Sequence, residues 1–159
     1  MAQPNSRSGA EPILQSTIVR SDRAHAFGMF VGHIGAWWPR RALPAGASRA
    51  AEVRVEEVLD GRVHEVREDG TEQDWGRVLA WEPPARFAMA WRVPPADGTE
   101  VEVRFAAVSP GVTRVELEHR GWERLSDEQL ARAGGGLAGD WNLALGRFAA
   151  AAEATARRF

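Results

Sequence analysis

Large aromatic side chains are the feature that most constrains how this chain can fold. The sequence has 159 residues with seven tryptophans and six phenylalanines, but no tyrosine and no cysteine. Its 20 basic residues are all arginines. A buried aromatic side chain removes roughly 150 to 250 Å² of surface from water. The fold must therefore be arranged around these rings, either as a packed core or as the wall of an apolar cavity.

The missing residue types exclude several kinds of chemistry. Without cysteine there can be no disulfide, thiolate nucleophile or cysteine-ligated zinc, and without lysine there is no Schiff-base catalysis. The net charge is -2, and the arginines are spread from Arg7 to Arg158 without a basic block, so nucleic-acid binding is not expected. The histidines and carboxylates do not follow metal-ligand spacing. We predict no metal and no cofactor.

The length and the amino terminus bound the organisation of the chain. A chain of this size suits one hydrophobic core, and the first residues are polar with scattered Gly, Ser and Pro. We therefore predict a flexible tail over residues 1–11 and a single domain over residues 12–159. The tail lacks the apolar centre of a signal peptide, and no segment is apolar enough to span a membrane. A cytoplasmic location is expected.

The hydrophobic pattern predicts a strand and a helix followed by a long β region. Residues 13–19 form a β-rich run, and Ser21 is the expected N-cap of a helix that begins with Asp22. From Glu52 to His119 the apolar period is two, which predicts six further strands joined by short turns and therefore antiparallel. The predicted same-face sets are Val53/Val55, Val63/Glu65, Trp75/Arg77/Leu79/Trp81, Phe87/Met89/Trp91, Val101/Val103/Phe105 and Thr113/Val115/Leu117/His119.

The C-terminal segment has the pattern of a long amphipathic helix. Leu137, Trp141, Leu145 and Phe148 recur at intervals of three and four residues, in a helix that extends to Arg157. Its apolar face is expected to cover the apolar face of the sheet. The segment 126–129 is typical of the N-cap of a shorter helix, and the glycines at 134–136 predict a hinge that gates a cavity.

Short motifs in this order resemble a known family. They are Trp37-Trp38-Pro39, Glu65, Asp69-Gly70, Gly76-Arg77-Val78, Trp81-Glu82-Pro83-Pro84, Trp91 and Leu117-Glu118-His119-Arg120-Gly121-Trp122. With the element order, these motifs resemble the activator of Hsp90 ATPase homologue-like family of the START-like, or SRPBCC, helix-grip superfamily, over residues 13–159.

The resemblance implies an α+β helix-grip fold. In this fold a curved antiparallel sheet of about seven strands wraps around a long C-terminal helix, with two short helices after strand one and a deep hydrophobic cavity. Members are mostly bacterial domains of unknown ligand. The eukaryotic namesake stimulates a chaperone ATPase, but this chain is expected to lack a counterpart of its chaperone-binding domain, so that activity is not carried over.

The candidate ligand-binding residues come from the inward faces of the predicted strands and helix. They are Trp75, Trp81, Phe87, Met89, Trp91, Phe105, His119, Trp141 and Phe148. The walls of ligand cavities are mostly apolar with a few polar groups for orientation. For any single ring plain core packing is the more common role, and the ligand-binding interpretation stays open beside it.

Two polar residues are weak candidates for catalysis. His119 alternates with Val115 and Leu117, so its imidazole either orients or protonates a ligand, or is hydrogen-bonded at a strand end. Glu65 shares a face with Val63; its carboxylate either acts as an acid or base after desolvation or pairs with an arginine such as Arg77.

The sequence thus predicts a small-molecule binding protein for a hydrophobic, aromatic or lipid-like ligand, with no catalysis required. One alternative is a polyketide cyclase or aromatase-like enzyme that uses His119 and Glu65 for proton transfer. Another is a chaperone-accessory protein-interaction module, which would need an exposed apolar patch. The edge strand of such a sheet has unpaired backbone groups, so it is also a candidate surface for a homodimer.

Overall fold

One strand, two helices, six strands and the C-terminal helices follow one another in the predicted order. The structure is a computed structural model that describes residues 10–37, 52–133 and 137–156. Its elements are β1 (Ile13–Val19), α1 (Arg23–Gly32), α2 (Ile34–Trp37), β2 (Glu52–Val55), β3 (Arg62–Val66), β4 (Glu72–Glu82), β5 (Arg86–Trp91), β6 (Glu100–Ser109), β7 (Val112–Arg120), a 3₁₀ turn (Trp122–Arg124), α3 (Asp127–Ala133) and α4 (Leu137–Ala156).

The strands of the described residues form one antiparallel sheet with the order β1-β7-β6-β5-β4-β3-β2. The first strand pairs with the last, from Ile13 opposite His119 to Val19 opposite Thr113. This pairing fixes β1 beside the strand that leads into the C-terminal helices, and α4 packs against β1. The predicted α+β helix-grip fold, with a curled sheet against a long C-terminal helix, is confirmed.

The apolar face of α4 is the one that the sequence predicts. Leu137, Trp141, Leu145 and Phe148 are all buried, and the helix of 20 residues is about 30 Å long. Within the described part of the chain, no helix is both long and apolar enough to cross a membrane. The predicted hinge at 134–136 and the extension of the helix to Arg157 lie outside the described residues.

The N-cap of α1 differs from the prediction by one residue. The Asp22 carboxylate accepts a hydrogen bond from the His25 backbone N–H at 2.8 Å, so Asp22 is the N-cap and the helix begins at Arg23. The Ser21 hydroxyl donates instead to the Asp22 backbone carbonyl. Both side chains favour this position, and only the local backbone geometry selects between them. The predicted cap of α3 is confirmed, because Ser126 and Gln129 bond reciprocally.

One predicted same-face set on β4 is wrong. The register of β4 shifts twice, at residue 75 in its pairing with β3 and at Leu79 in its pairing with β5. At each shift β4 has one more residue than the strand opposite. Arg77 therefore lies opposite Ala90 on the outer face, and Leu79 is 43% exposed. Gly76 faces inward opposite Trp91, where a Cβ atom would lie 2.0 Å from the Ala90 carbonyl oxygen. Strict alternation cannot detect such bulges.

The outer face of the sheet carries charged residues, as the alternation in β6 and β7 predicts, and Glu102 is at their centre. Only 6% of Glu102 is exposed, and its carboxylate lies 2.7 Å from Arg120, 3.1 Å from Arg104 and 3.5 Å from Arg86. Burial opposes ionisation of this carboxylate. The hydrogen bond from Arg120 and the neighbouring guanidinium charges outweigh burial, so the pKa of Glu102 lies below its usual value.

We expect the substitution Glu102→Gln to destabilise the protein by about 1 to 3 kcal/mol at pH 7, because three guanidinium groups lose the negative charge that they share. Since the folded-state pKa of Glu102 is depressed, its contribution is present above pH ~4.5 and is lost as the pH falls further. Urea unfolding at pH 7 and below pH 4 should therefore show a smaller acid-induced loss in the variant. The control Glu128→Gln, at an exposed site on α3, should change little, and an equal effect of both substitutions would contradict the prediction.

Candidate functional site

The interior of the fold contains two groups of aromatic rings. The first, here called the histidine cluster, consists of Trp91, His119, Trp122 and Trp141. The second, the phenylalanine cluster, consists of Phe27, Phe30, Trp37, Trp81, Phe87, Phe105 and Phe148. The structure thus divides seven of the nine predicted ligand-binding residues between two clusters; the other two are Trp75 and Met89.

In the histidine cluster, the His119 imidazole lies between two indole rings. Its centroid is 4.6 Å from that of Trp91 and 4.4 Å from that of Trp122, with both rings tilted against it. Trp141 of α4 adds an edge-on contact at 6.2 Å. His119 is therefore fully enclosed, with 0% of its surface exposed.

Hydrogen bonds fix the tautomer of His119. The Trp141 indole N–H can only donate, and it donates to His119 Nδ1 at 3.3 Å. The proton of the neutral ring must then be on Nε2, which donates to the Thr99 hydroxyl at 2.9 Å. Thr99 in turn donates to the Ala96 carbonyl at 2.7 Å. Both ring nitrogens are thus occupied by protein groups, so a proton transfer to a ligand would require this network to open.

The electrostatics of the site agree with this geometry. Burial lowers the pKa of His119 from 6.5 to about 3, because the apolar surroundings disfavour the charged imidazolium. A second proton would also have to enter at Nδ1, where the Trp141 N–H already points. His119 is consequently neutral throughout the physiological pH range.

The phenylalanine cluster connects the sheet to both α1 and α4. Phe27 contacts Trp81 of β4 at 5.3 Å and Phe105 of β6 at 5.2 Å between ring centroids. Phe30 contacts Phe148 of α4 at 5.2 Å. These pairs have the edge-to-face geometry that aromatic quadrupoles favour. Trp81 is half-buried and is the member of the cluster that is most open to solvent.

The remaining two predicted lining residues lie on the central strands. Met89 is fully buried, and its terminal methyl group is close to Gly76, where a Cβ atom would come within 2.6 Å of it. Trp75 is 2% exposed and lies at the first register shift in β4. Both residues are therefore part of the interior on the inner side of β4 and β5.

Glu65 is on the inner face of β3, as predicted, but its partner is not the predicted one. It lies opposite Val53 of β2 and Gln73 of β4, and 1% of it is exposed. Neither carboxylate oxygen has a hydrogen-bond partner among the described residues, and the nearest cation is Arg67, with Nη2 3.7 Å from Oε1. Arg77 is on the outer face, where it donates to the Asp60 carbonyl. The proposed Glu65–Arg77 pair is therefore wrong, because the bulges in β4 turn Arg77 away.

The structure does not bring the two polar candidates together. His119 is on β7 and Glu65 is on β3, four strands apart in the sheet order. At about 4.8 Å between neighbouring strands, this is roughly 19 Å along the sheet. Within the described residues, no group of three His, Asp or Glu side chains has a geometry that could hold a metal ion.

Several residues of the site were not among the sequence candidates. Arg67 follows Glu65 by two residues, so strict alternation could have placed both on one face. Phe27 and Phe30 follow helical spacing, which predicts the apolar face of α1. That spacing does not reveal the contact between Phe27 and Trp81. The hydrogen bond from His119 to Thr99 carries no sequence signal, because it joins residues 20 positions apart.

The curled seven-stranded antiparallel sheet against a long C-terminal helix defines the helix-grip, or SRPBCC, class of proteins. The family profile described as "Activator of Hsp90 ATPase homolog 1-like protein" matches residues 32–153. The chain belongs to this family, which confirms the resemblance.

Solved structures with the same fold include one at appreciable sequence identity. The anthrahydroquino-gamma-pyrone synthase Txn09, solved in a complex, is 32% identical, with a TM-score of 0.54 over 93% of this chain and 99% of that one. The self-sacrificing resistance protein CalC from Micromonospora echinospora is 24% identical, with a TM-score of 0.62 over 92% and 97% of the two chains. The Aha1 dimer from Colwellia psychrerythraea is 16% identical, with a TM-score of 0.62 over 90% and 96%. The last two similarities establish the fold alone. A comparison with curated proteins found no match.

We predict that His119 makes the stability of the protein depend on pH above the range in which carboxylates titrate. Its folded-state pKa of about 3 is below the unfolded value of 6.5, so its contribution is complete above pH 6.5 and declines as the pH falls. Between pH 7.5 and pH 5.0 the loss from this residue is about 2 kcal/mol.

Urea unfolding of the native protein and of His119→Gln at these two pH values checks this expectation. The variant should show a smaller loss between the two, whatever its absolute stability. An NMR titration should also find the His119 ring neutral and protonated on Nε2 at pH 5. A titration of this ring near pH 6 would contradict the assignment.

Proposed function

We propose that this protein binds a small hydrophobic molecule of aromatic or lipid-like character between the sheet and the helices that cover it. The observation that carries the proposal is the Glu65 carboxylate, which is buried without a hydrogen bond from the described residues, in an interior of aromatic and aliphatic side chains. A pure packing core excludes such a group because its desolvation is costly. Ligand sites combine apolar walls with a few polar groups in this way.

The similarity to Txn09 supports the same proposal. That protein is a synthase, and it was solved in a complex. The alignment covers nearly all of both chains at 32% identity. Since related chains of this fold can differ in activity while they share a site, the similarity favours a small-molecule site here without fixing its ligand.

A second candidate is an enzyme of the polyketide cyclase or aromatase type, which the name of Txn09 favours. Such an enzyme would hold its substrate in the conformation that reacts, and a polar side chain would transfer a proton. The geometry favours Glu65 for this role over His119, because both nitrogens of His119 are already hydrogen-bonded. Turnover that is lost in Glu65→Gln would support this candidate.

The interaction-module alternative depends on exposed apolar surface. Leu14 and Ile18 on the edge strand β1 are 67% and 48% exposed, and an exposed edge is a site where a second copy or another protein can pair. The Colwellia protein is described as a dimer. We propose a homodimer through β1 as the oligomeric state to be tested by light scattering.

Titration with planar aromatic, polyketide-like and fatty-acyl compounds tests the binding proposal. We expect a saturable change in tryptophan fluorescence for one class, because Trp81 and Trp37 are in the phenylalanine cluster. The substitution Trp81→Leu should weaken this binding by about three- to tenfold, since an aromatic pair contributes ~0.5 to 1.5 kcal/mol beyond its buried area.

The control is Leu143→Ala, which changes a residue of α4 that is 70% exposed and should leave binding unchanged. A flat response across the whole panel from a folded sample would contradict the proposal. In that case the exposed strand β1 would become the first surface to test for a protein partner.

A further inference from the structure

The Glu65 carboxylate has hydrogen-bonding capacity that the described protein does not use. An ionised carboxylate offers about four acceptor positions, yet neither oxygen of Glu65 receives a hydrogen bond from the described residues. A buried acceptor in this state costs free energy. A group of this kind in a buried position therefore calls for a partner beyond the described residues.

The contact with Arg67 does not supply that partner. At 3.7 Å it is an ion pair without a hydrogen bond, and the same Nη2 atom donates to the Gln73 side chain instead. By contrast, the buried carboxylate of Glu102 on the outer face has a guanidinium nitrogen at 2.7 Å. Arginines can thus supply hydrogen bonds to a buried carboxylate in this fold, as they do at Glu102. At Glu65 no described arginine does so.

The charge of Arg67 constrains what the missing partner can be. A positive guanidinium already lies beside the carboxylate, so a neutral donor can bond to Glu65 without adding a further charge. The Nε atom of Arg67 is also buried without a hydrogen-bond partner among the described residues, so a donor group that carries an acceptor, such as a hydroxyl, suits both side chains.

Two of the side chains beside Glu65 on the inner face of the sheet are apolar. Val53 lies opposite Glu65 on β2, and a Cβ atom on Gly35 of α2 would come within 2.6 Å of the Val53 side chain. Val63, two residues before Glu65 on the same strand, is fully buried. The rest of a molecule that bonds to Glu65 would therefore meet an apolar surface.

We propose that Glu65 is the residue that selects the ligand, by accepting a hydrogen bond from a neutral hydroxyl group on an otherwise apolar, aromatic molecule. This inference rests on the proposed binding function and adds the group that is recognised. It assigns Glu65 and Arg67 as the polar pair of the site, whereas His119 serves to hold β7, α4 and the turn before Thr99 together.

The test compares 2-naphthol with its methyl ether, 2-methoxynaphthalene, by equilibrium dialysis. The two probes differ in the hydroxyl hydrogen that Glu65 would accept. We expect the native protein to bind the naphthol at least about tenfold more tightly, since a hydrogen bond to a charged group contributes ~1.5 to 3 kcal/mol. In Glu65→Leu this ratio should fall to near one, while binding of the methyl ether persists and reports that the site is intact.

Glu102→Gln is the matched control, because it changes a buried carboxylate on the opposite face of the sheet and should leave the ratio unchanged. Equal binding of both probes to the native protein would overturn the inference and leave the proposed function standing. Binding of neither probe would count against the proposed function itself, and the inference would fall with it.

Thermal unfolding supplies a second readout that a structural role would not give. If Glu65 is kept for a ligand, Glu65→Leu should raise the melting temperature of the ligand-free protein, on the order of 2 to 4 °C, because a buried carboxylate without a hydrogen bond from the described residues is replaced by an apolar side chain. A lower melting temperature would show that the carboxylate stabilises the fold, and would overturn the inference.

Discussion

The packing of α4 against the inner face of the sheet is the interaction on which the rest of the structure depends. Trp141 and Phe148 are both fully buried, and they are two turns apart on one helix. Trp141 reaches the histidine cluster and Phe148 reaches the phenylalanine cluster. Because one helix supplies a ring to each cluster, its docking fixes the two aromatic groups relative to each other.

Three buried polar side chains show how the structure compensates the cost of burying an ionisable group. Glu102 remains ionised because guanidinium groups surround it on the outer face. His119 is kept neutral, because desolvation lowers its pKa and both nitrogens are hydrogen-bonded. Glu65 has one guanidinium, that of Arg67, at 3.7 Å and no hydrogen bond from the described residues. Such a buried group is retained at a cost, which is why we place ligand recognition there.

Much of the fold could be predicted because its signals are local. The period of two in β6 and β7 and the spacing from Leu137 to Phe148 gave the right faces, and a turn or a helix follows from residues close in sequence. The error in a predicted strand face came from β4, where the shifts near residues 75 and 79 turned Arg77 outward. These bulges depend on how β4 pairs with both of its neighbours, β3 and β5. The sequence of β4 alone therefore does not reveal them.

By itself, the sequence determined the class of fold, the apolar face of α4 and the exclusion of thiol and Schiff-base chemistry, since these follow from composition and period. It also placed Glu65 and His119 on inward faces. Only the tertiary structure decided their chemical states. The bond from Trp141 to His119 joins residues 22 positions apart, and the separation of His119 from Glu65 depends on strand order. A side chain's protonation and partners are set by atoms that meet only after the chain has folded.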